Sequence, residues 1–244
     1  MSAPHPPLKE YYATEADRGP WVRGLFDRTA GDYDRVEHAM ALGTGSWYRR
    51  RALRRGGLAA GMRVLDIGVG TGLTACAAVR IVGAAELVVG VDPSAGMVEC
   101  AKVPAGVVLK LGTAESIPAA AGSADFLSMG YALRHIGDLS AALVEFMRVL
   151  VPGGRICLLE ITKPRGRITR ALLRTYMRGI VPLLARALSR HRDMPQLMRY
   201  YWDTIEACAP PERILAEIRA AGFLEVNRYV EAGVFSEYRA RKAS

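Results

Sequence analysis

The chain has 244 residues, half of them apolar, enough for a substantial core and against disorder over most of its length. A net charge of +9 permits attraction to nucleic acid, an anionic membrane or an acidic substrate; with no RGG repeat or base-stacking aromatic motif among the arginines, nucleic acid is disfavoured. Cys76, Cys100, Cys157 and Cys208 lack CxxC or zinc-ligand spacing and read as reduced packing residues with no metal implied, and no leader or long uncharged apolar run is present, so a soluble, cytoplasmic protein is expected.

In chain order, residues 1–60 read as a polar tail followed by helices. From Gly61 onward short apolar runs alternate with Gly- or Pro-marked turns and amphipathic segments. Strands are expected at 62–67, 86–91, 106–110, 124–130 and 154–161. Helices fill the intervals, notably 138–150, where Leu139, Leu143, Phe146, Val149 and Leu150 keep helical spacing. Residues 163–205 stand outside this rhythm, and past Gly222 two strand-like runs meet around Ala232-Gly233 as a hairpin. The pattern predicts one α/β domain: a tail and helical cap over 1–60, a core over 61–162, an inserted lid over 163–205, and a last helix with the hairpin over 206–244. Cap and lid should cover the carboxyl ends of the strands, where open α/β sheets hold ligands.

The most informative segment is Leu65-Asp66-Ile67-Gly68-Val69-Gly70-Thr71-Gly72, which closes the first strand and opens a helix. It is not the dinucleotide fingerprint, which needs glycine where this chain has Leu73, so a nicotinamide dehydrogenase is disfavoured. A carboxylate at Asp66 would repel a pyrophosphate in that turn but could pair with the ammonium of a methionine moiety. Asp92, ending the second strand in Gly90-Val91-Asp92-Pro93-Ser94, could accept both hydroxyls of a ribose; as an alternative it caps the following helix.

These segments resemble the motifs of the class I methyltransferases. The resemblance narrows at Phe26-Asp27-Arg28-Thr29-Ala30-Gly31-Asp32-Tyr33-Asp34, Tyr131-Ala132-Leu133-Arg134-His135, Leu150-Val151-Pro152-Gly153-Gly154-Arg155 and Leu159-Glu160-Ile161-Thr162-Lys163-Pro164. These are similar to the UbiE family of quinone-ring C-methyltransferases. The resemblance implies a Rossmann-like, mostly parallel seven-stranded sheet with an antiparallel end, and S-adenosyl-L-methionine as cofactor. It implies that Asp66, Gly68, Gly70, Thr71 and Gly72 line the methionine side, that Asp92 holds the ribose, that Thr113 and Ala114 border the adenine with Met97, and that Gly130 lies under the cofactor. The family usually has Asp or Asn where this chain has Thr113, so backbone groups take more of the adenine there.

Methyl transfer from a sulfonium needs aligned reactants, excluded water and a nucleophilic acceptor. For a phenolic or hydroquinone ring carbon a general base is useful, and His135, where the family usually has asparagine, can take the hydroxyl proton. Arg134 is expected to hold the resulting anion and Tyr33 to orient the ring or relay the proton through water; the bland alternative leaves His135 as a helix cap or a solvated side chain. Tyr176, Tyr200, Tyr201 and Trp202 are candidates for the acceptor wall, with Met198 beside them, or for core packing. Arg170, Arg174 and Arg178, continued by Arg186 and Arg190 past Pro182, predict a cationic face on a proline-kinked amphipathic lid. Segment 165–192 could rest on an anionic membrane or simply face water. The remaining readings are an O- or N-methyltransferase of another small molecule and a non-catalytic cofactor-binding protein.

Overall fold

The computed structural model describes residues 3–244. Seven strands form one sheet: β1 (Val64–Ile67), β2 (Val88–Asp92), β3 (Val108–Leu111), β4 (Ala124–Gly130), β5 (Leu150–Ile161), β6 (Leu224–Glu231) and β7 (Phe235–Arg241). Their order is β3-β2-β1-β4-β5-β7-β6, parallel through β5, while β7 runs antiparallel to both neighbours. β1 is buried at every position, because a central parallel strand is covered on both faces; that is why its residues read as an unbroken apolar run interrupted only by Asp66.

The strand order reverses at β1. Such a switch point opens a crevice beyond the carboxyl ends of β1, β2 and β4. One face of the sheet packs on α5 (Leu139–Val149) and α9 (Pro211–Ala220); the other packs on α2 (Gly45–Arg55) and α3 (Leu73–Val82). α5 starts one residue later than expected because Asp138 is its N-cap, accepting from the Ser140 and Ala141 N–H groups. Leu150 belongs to β5, not to the helix. That strand begins well before the expected 154 because Gly153, at φ +78°, lets it continue through Pro152-Gly153-Gly154 as an irregularity against β4.

A third core lies above the sheet's carboxyl edge. There α1 (Glu15–Met40) packs against the segment 163–205, which forms α6 (Arg167–Thr175), a π-helical turn at Tyr176–Ile180, α7 (Val181–Leu188) and α8 (Met194–Ala207). The expected proline kink takes the form of this wide turn, just ahead of Pro182, which has no N–H to donate. The turn breaks the four-residue arginine spacing, and the stripe is not one uniform face. Arg170 pairs with Glu206 at 3.0 Å and Arg178 with Asp203 at 3.5 Å, whereas Arg174, Arg186 and Arg190 are exposed. The N-terminal segment is also less of a free tail than its polarity suggests: His5 and Tyr12 are buried, Pro4 accepts from the Ala209 N–H at 2.7 Å, and Tyr11 donates to Asp203 at 2.6 Å.

Candidate active site

The crevice is a cavity of about 340 Å³ floored by the glycine turn and the ends of β1, β2 and β4, and roofed by α1 and Tyr201 of α8. Asp66 stands at the end of β1 with no exposure to solvent. Its Oδ1 accepts from the Ser128 hydroxyl at 2.7 Å, and its Oδ2 is buried without a hydrogen-bond partner. Burial pushes its carboxyl up to about 7. An orphaned buried carboxylate oxygen is costly unless a cation meets it, so this acceptor fits the ammonium of a methionine moiety. Gly68, at φ +66°, is needed for close approach: a Cβ there would lie 2.5 Å from the Ala132 Cβ. Gly70, at φ +54°, faces open space, where a ligand can reach its backbone.

Asp66 is not itself a lining residue and is buried behind its neighbours Ile67 and Gly68, which are, whereas Asp92 sits in the wall, raised by burial to about 6. Its Oδ2 accepts from the Gly70 N–H at 2.8 Å and its Oδ1 from the Ser94 N–H at 2.9 Å. The cap of the next helix, α4 (Ala95–Glu99), is Ser94, whose Oγ accepts from the Met97 N–H at 3.1 Å. Asp92 therefore braces the turn, and each oxygen keeps a second lone pair for a hydroxyl. Met97, Thr113 and Ala114 line the same end, and Thr71 and Gly130 lie between. Gly72 is absent from the wall; it opens α3 at φ +94°, where the side chain of Val103 would block any Cβ.

At the other end, His135 meets Phe26, Tyr33, Ile136 and Tyr201. It lies on the short turn after β4, edge-on to Phe26 at 5.5 Å between ring centres and stacked on Tyr200 at 5.4 Å. Its Nδ1 is 3.3 Å from the Tyr200 hydroxyl, and its Nε2 is buried with no hydrogen-bond partner. Burial, reinforced by the charges of Arg134 and Arg18, holds this imidazole well below its ordinary range, so it is neutral at pH 7. Tyr33 and Tyr201 share a hydrogen bond of 2.6 Å.

Arg134, expected to hold the acceptor anion, is placed behind this wall. Its Nη1 donates to Glu160 at 2.6 Å and to the Tyr131 carbonyl at 2.7 Å, its Nε donates to Thr204 at 3.1 Å, and it lies under the Tyr201 ring at 4.6 Å. It positions Tyr201 and the β4 turn and is not in the cavity. Of the four aromatic residues expected in the acceptor wall only Tyr201 is there. Tyr200 packs behind His135, Trp202 donates to Glu206 at 3.2 Å, and Tyr176 donates to the Met40 carbonyl at 2.8 Å.

Several contributors have no role in the sequence reading. Asp27 accepts from the Ser94 hydroxyl and from the Gly96 N–H, and Asp34 accepts from the Thr71 hydroxyl at 2.5 Å, so α1 is pinned to both sides of the glycine turn. Both acids lie in the Phe26–Asp34 motif, which carried the resemblance but no assignment. Arg49 of α2 reaches the wall, donates to Glu37 at 2.7 Å, lies over the Tyr131 ring at 5.4 Å, and its charge is felt at Asp66. Its Nε is buried without a hydrogen-bond partner. Tyr131 itself adopts φ +62°, a strained conformation for a residue with a side chain, at the point where β4 meets the cavity.

Residues 12–242 match the ubiE/COQ5 methyltransferase family. The chain is 33% identical, over 90% of its length and 93% of the relative's, to the ubiquinone/menaquinone biosynthesis C-methyltransferase UbiE of Syntrophotalea carbinolica. It is 31% identical, over 84% of its length and 89% of the relative's, to the demethylmenaquinone methyltransferase of Lactiplantibacillus plantarum. Among solved structures, a SAM-dependent methyltransferase of Thermotoga maritima shares the fold, with a TM-score of 0.62 at 22% identity over 90% of this chain and 98% of that one. A switch-point cavity with a buried acid at each of two strand ends, on a chain matched from Tyr12 to Lys242, makes this protein an S-adenosylmethionine-dependent methyltransferase belonging to the ubiE/COQ5 family.

Proposed function

We propose that the enzyme methylates a ring carbon of a hydrophobic quinol, with His135 as the base. One observation carries this reading: a neutral imidazole whose Nε2 has no partner faces a cavity wall made of Phe26, Ile136 and Tyr201. When bound, S-adenosylmethionine supplies an electrophilic methyl group on a sulfonium. Asp66 holds the ammonium end, Arg49 the carboxylate and Asp92 the ribose hydroxyls, while Met97, Thr113 and Ala114 border the adenine. At the far end, His135 takes the acceptor's hydroxyl proton, which raises electron density on the neighbouring ring carbon, and Phe26 and the Tyr33–Tyr201 pair exclude water and fix the ring plane.

Purified enzyme with labelled cofactor, offered short-chain demethylquinols, simple phenols and amines, tests the reading. Label on a quinol ring carbon, lost about 10²-fold or more in His135→Ala, is the expected result; exclusive O- or N-methylation rejects it.

Among the described residues no helix is long and apolar enough to cross a membrane. The acceptor's lipophilicity nevertheless suits a surface encounter with the bilayer, and α6 supports one: it has no buried residue, exposes Ile168 and Leu172 one turn apart at 77% and 66%, and carries Arg167, Arg170 and Arg174 beside them. The lid is accordingly proposed to rest on anionic lipid through this helix.

A further inference from the structure

With Arg134 behind the wall, a different cation reaches the acceptor end of the cavity. Arg18 of α1 lines it, and its side chain is 1% exposed. Two of its nitrogens are spent on backbone carbonyls: Nη1 donates to Ile136, the residue after His135, at 3.3 Å, and Nη2 donates to His5 of the N-terminal strap at 2.5 Å. The third, Nε, has no hydrogen-bond partner but stands 3.0 Å from Oε1 of Glu15, another wall residue, whose side chain is 30% exposed. A buried guanidinium thus already meets one carboxylate oxygen of a neighbouring wall residue, and that residue's side chain is partly exposed and able to swing outward.

We infer that Arg18 holds the acceptor's oxygen as it ionises, beside His135, in the place where Glu15 now meets the guanidinium. The inference rests on the reading of this cavity as a phenol or quinol site. It answers a difficulty in that reading. His135 is buried and sits beside two cations, Arg18 on α1 and Arg134 on its own turn, so it is a weak base, and an ordinary phenol would not surrender a proton to it. A fixed cation beside the hydroxyl lowers the pKa of the acceptor as well, by about 1–3 units for a charge at hydrogen-bonding distance, which brings donor and base back into range. The hydroxyl proton passes to His135 Nε2 and the charge to the oxygen at Arg18. The ring carbon forms its bond to the methyl carbon as the methyl–sulfur bond breaks, leaving the thioether and a neutral dienone. The dienone then loses its ring proton while the oxygen regains one from His135, so that one proton is released overall. Arg18 also ties α1, the strap and the His135 turn together, so its positioning and its charge must be separated by the test.

The test is a spectrophotometric titration of 4-nitrocatechol bound to the full-length enzyme with S-adenosylhomocysteine present, followed at the phenolate band, with thermal unfolding of each variant alongside. Wild type is expected to lower the bound phenol's apparent pKa by at least about one unit relative to free 4-nitrocatechol. Arg18→Met should return it to the free value or above, Arg18→Lys should keep most of the shift, and Glu15→Gln, which removes the competing anion, should lower it further. If Arg18→Met does not fold, Arg18→Lys and Glu15→Gln still decide. A bound phenol that titrates alike in wild type and the folded variants overturns the role of Arg18. Failure of wild type to take up the phenol at all overturns the acceptor reading beneath it.

Discussion

Asp66→Asn should stabilise the ligand-free protein and weaken the cofactor complex, and the first effect should reverse with pH. Asp66 is fully buried, and its carboxyl is lifted from an ordinary 3.8 to about 7. Between those values the native protein holds a proton that the unfolded chain has released, so stability contributed below pH 4 is lost as pH rises through 7. At about 1.4 kcal/mol per pH unit the ionised form costs the native state at most about 4 kcal/mol at pH 8. Asparagine keeps an acceptor for the Ser128 hydroxyl but puts an amide N–H where Oδ2 stood unpartnered, at a cost of about 1–3 kcal/mol. Urea denaturation should therefore find the variant more stable than wild type by roughly 1–3 kcal/mol at pH 8 and less stable at pH 4, where wild-type Asp66 is protonated in the native state and largely so in the unfolded chain. Calorimetry with S-adenosylhomocysteine at pH 8 should give roughly 10–100-fold weaker binding, the loss of one charge-assisted contact. The reasoning fails if the variant is the less stable protein at both pH values, or if its affinity for the ligand is unchanged.

Three further outcomes follow from the same geometry. Gly68→Ala forces φ +66° on a residue with a Cβ and drives that carbon into Ala132, so S-adenosylhomocysteine affinity should fall more than tenfold while the protein still melts cooperatively in calorimetry. Arg134→Met leaves Glu160 buried without its cation and should cost about 3–5 kcal/mol in urea denaturation; adding Glu160→Gln should recover most of it, which a direct role in catalysis would not predict. Leu172→Glu with Ile168→Glu on α6 should abolish flotation with phosphatidylglycerol vesicles at low salt and leave turnover of a water-soluble acceptor unchanged.

The sheet was legible because each strand carries its own boundary marks. β1 is a buried run closed by the glycine turn, β4 ends at Gly130, and the last two strands flank Ala232-Gly233. The early start of β5 was not, since Pro152-Gly153-Gly154 reads as a turn until a partner strand is present to absorb the irregularity. Asp66 and Asp92, proposed here to hold the cofactor, stood out because a carboxylate inside an apolar strand is chemically conspicuous. The acceptor wall could not be read in the same way. Tyr200, Tyr201 and Trp202 are consecutive on α8, so their side chains leave the axis about 100° apart and the three could not all share one face. Which of them met the cavity depended on how α8 rolls against α1, a matter of packing that periodicity alone does not fix. Arg134 and Arg18 illustrate the same limit. The first follows β4 directly and looks aimed at the mouth, yet Glu160 and Thr204 draw it behind the wall; the second is an unremarkable helical arginine until α1 is laid over the turn at Ile136.

The cavity then has an electrical direction that suits its chemistry. Asp92 lies in the wall at the sheet end with Asp66 buried behind it and Arg49 nearby, and Arg18 lies with Glu15 and neutral His135 at the cap end; on the proposed reading a donor's ammonium meets Asp66 and an ionising acceptor takes the place of Glu15 at Arg18. A cationic donor seated against the acids places its sulfonium toward the middle, and an acceptor that ionises beside Arg18 brings its negative charge from the other side. Transfer of the methyl group cancels both charges. In a medium of low dielectric that cancellation is favoured far more than in water, so on this reading the cover of α1 and Tyr201 over the cavity is expected to raise the rate as well as binding. The same layout predicts that ligand-free protein takes up a proton at Asp66, and below about pH 6 at Asp92, more readily than the unfolded chain does.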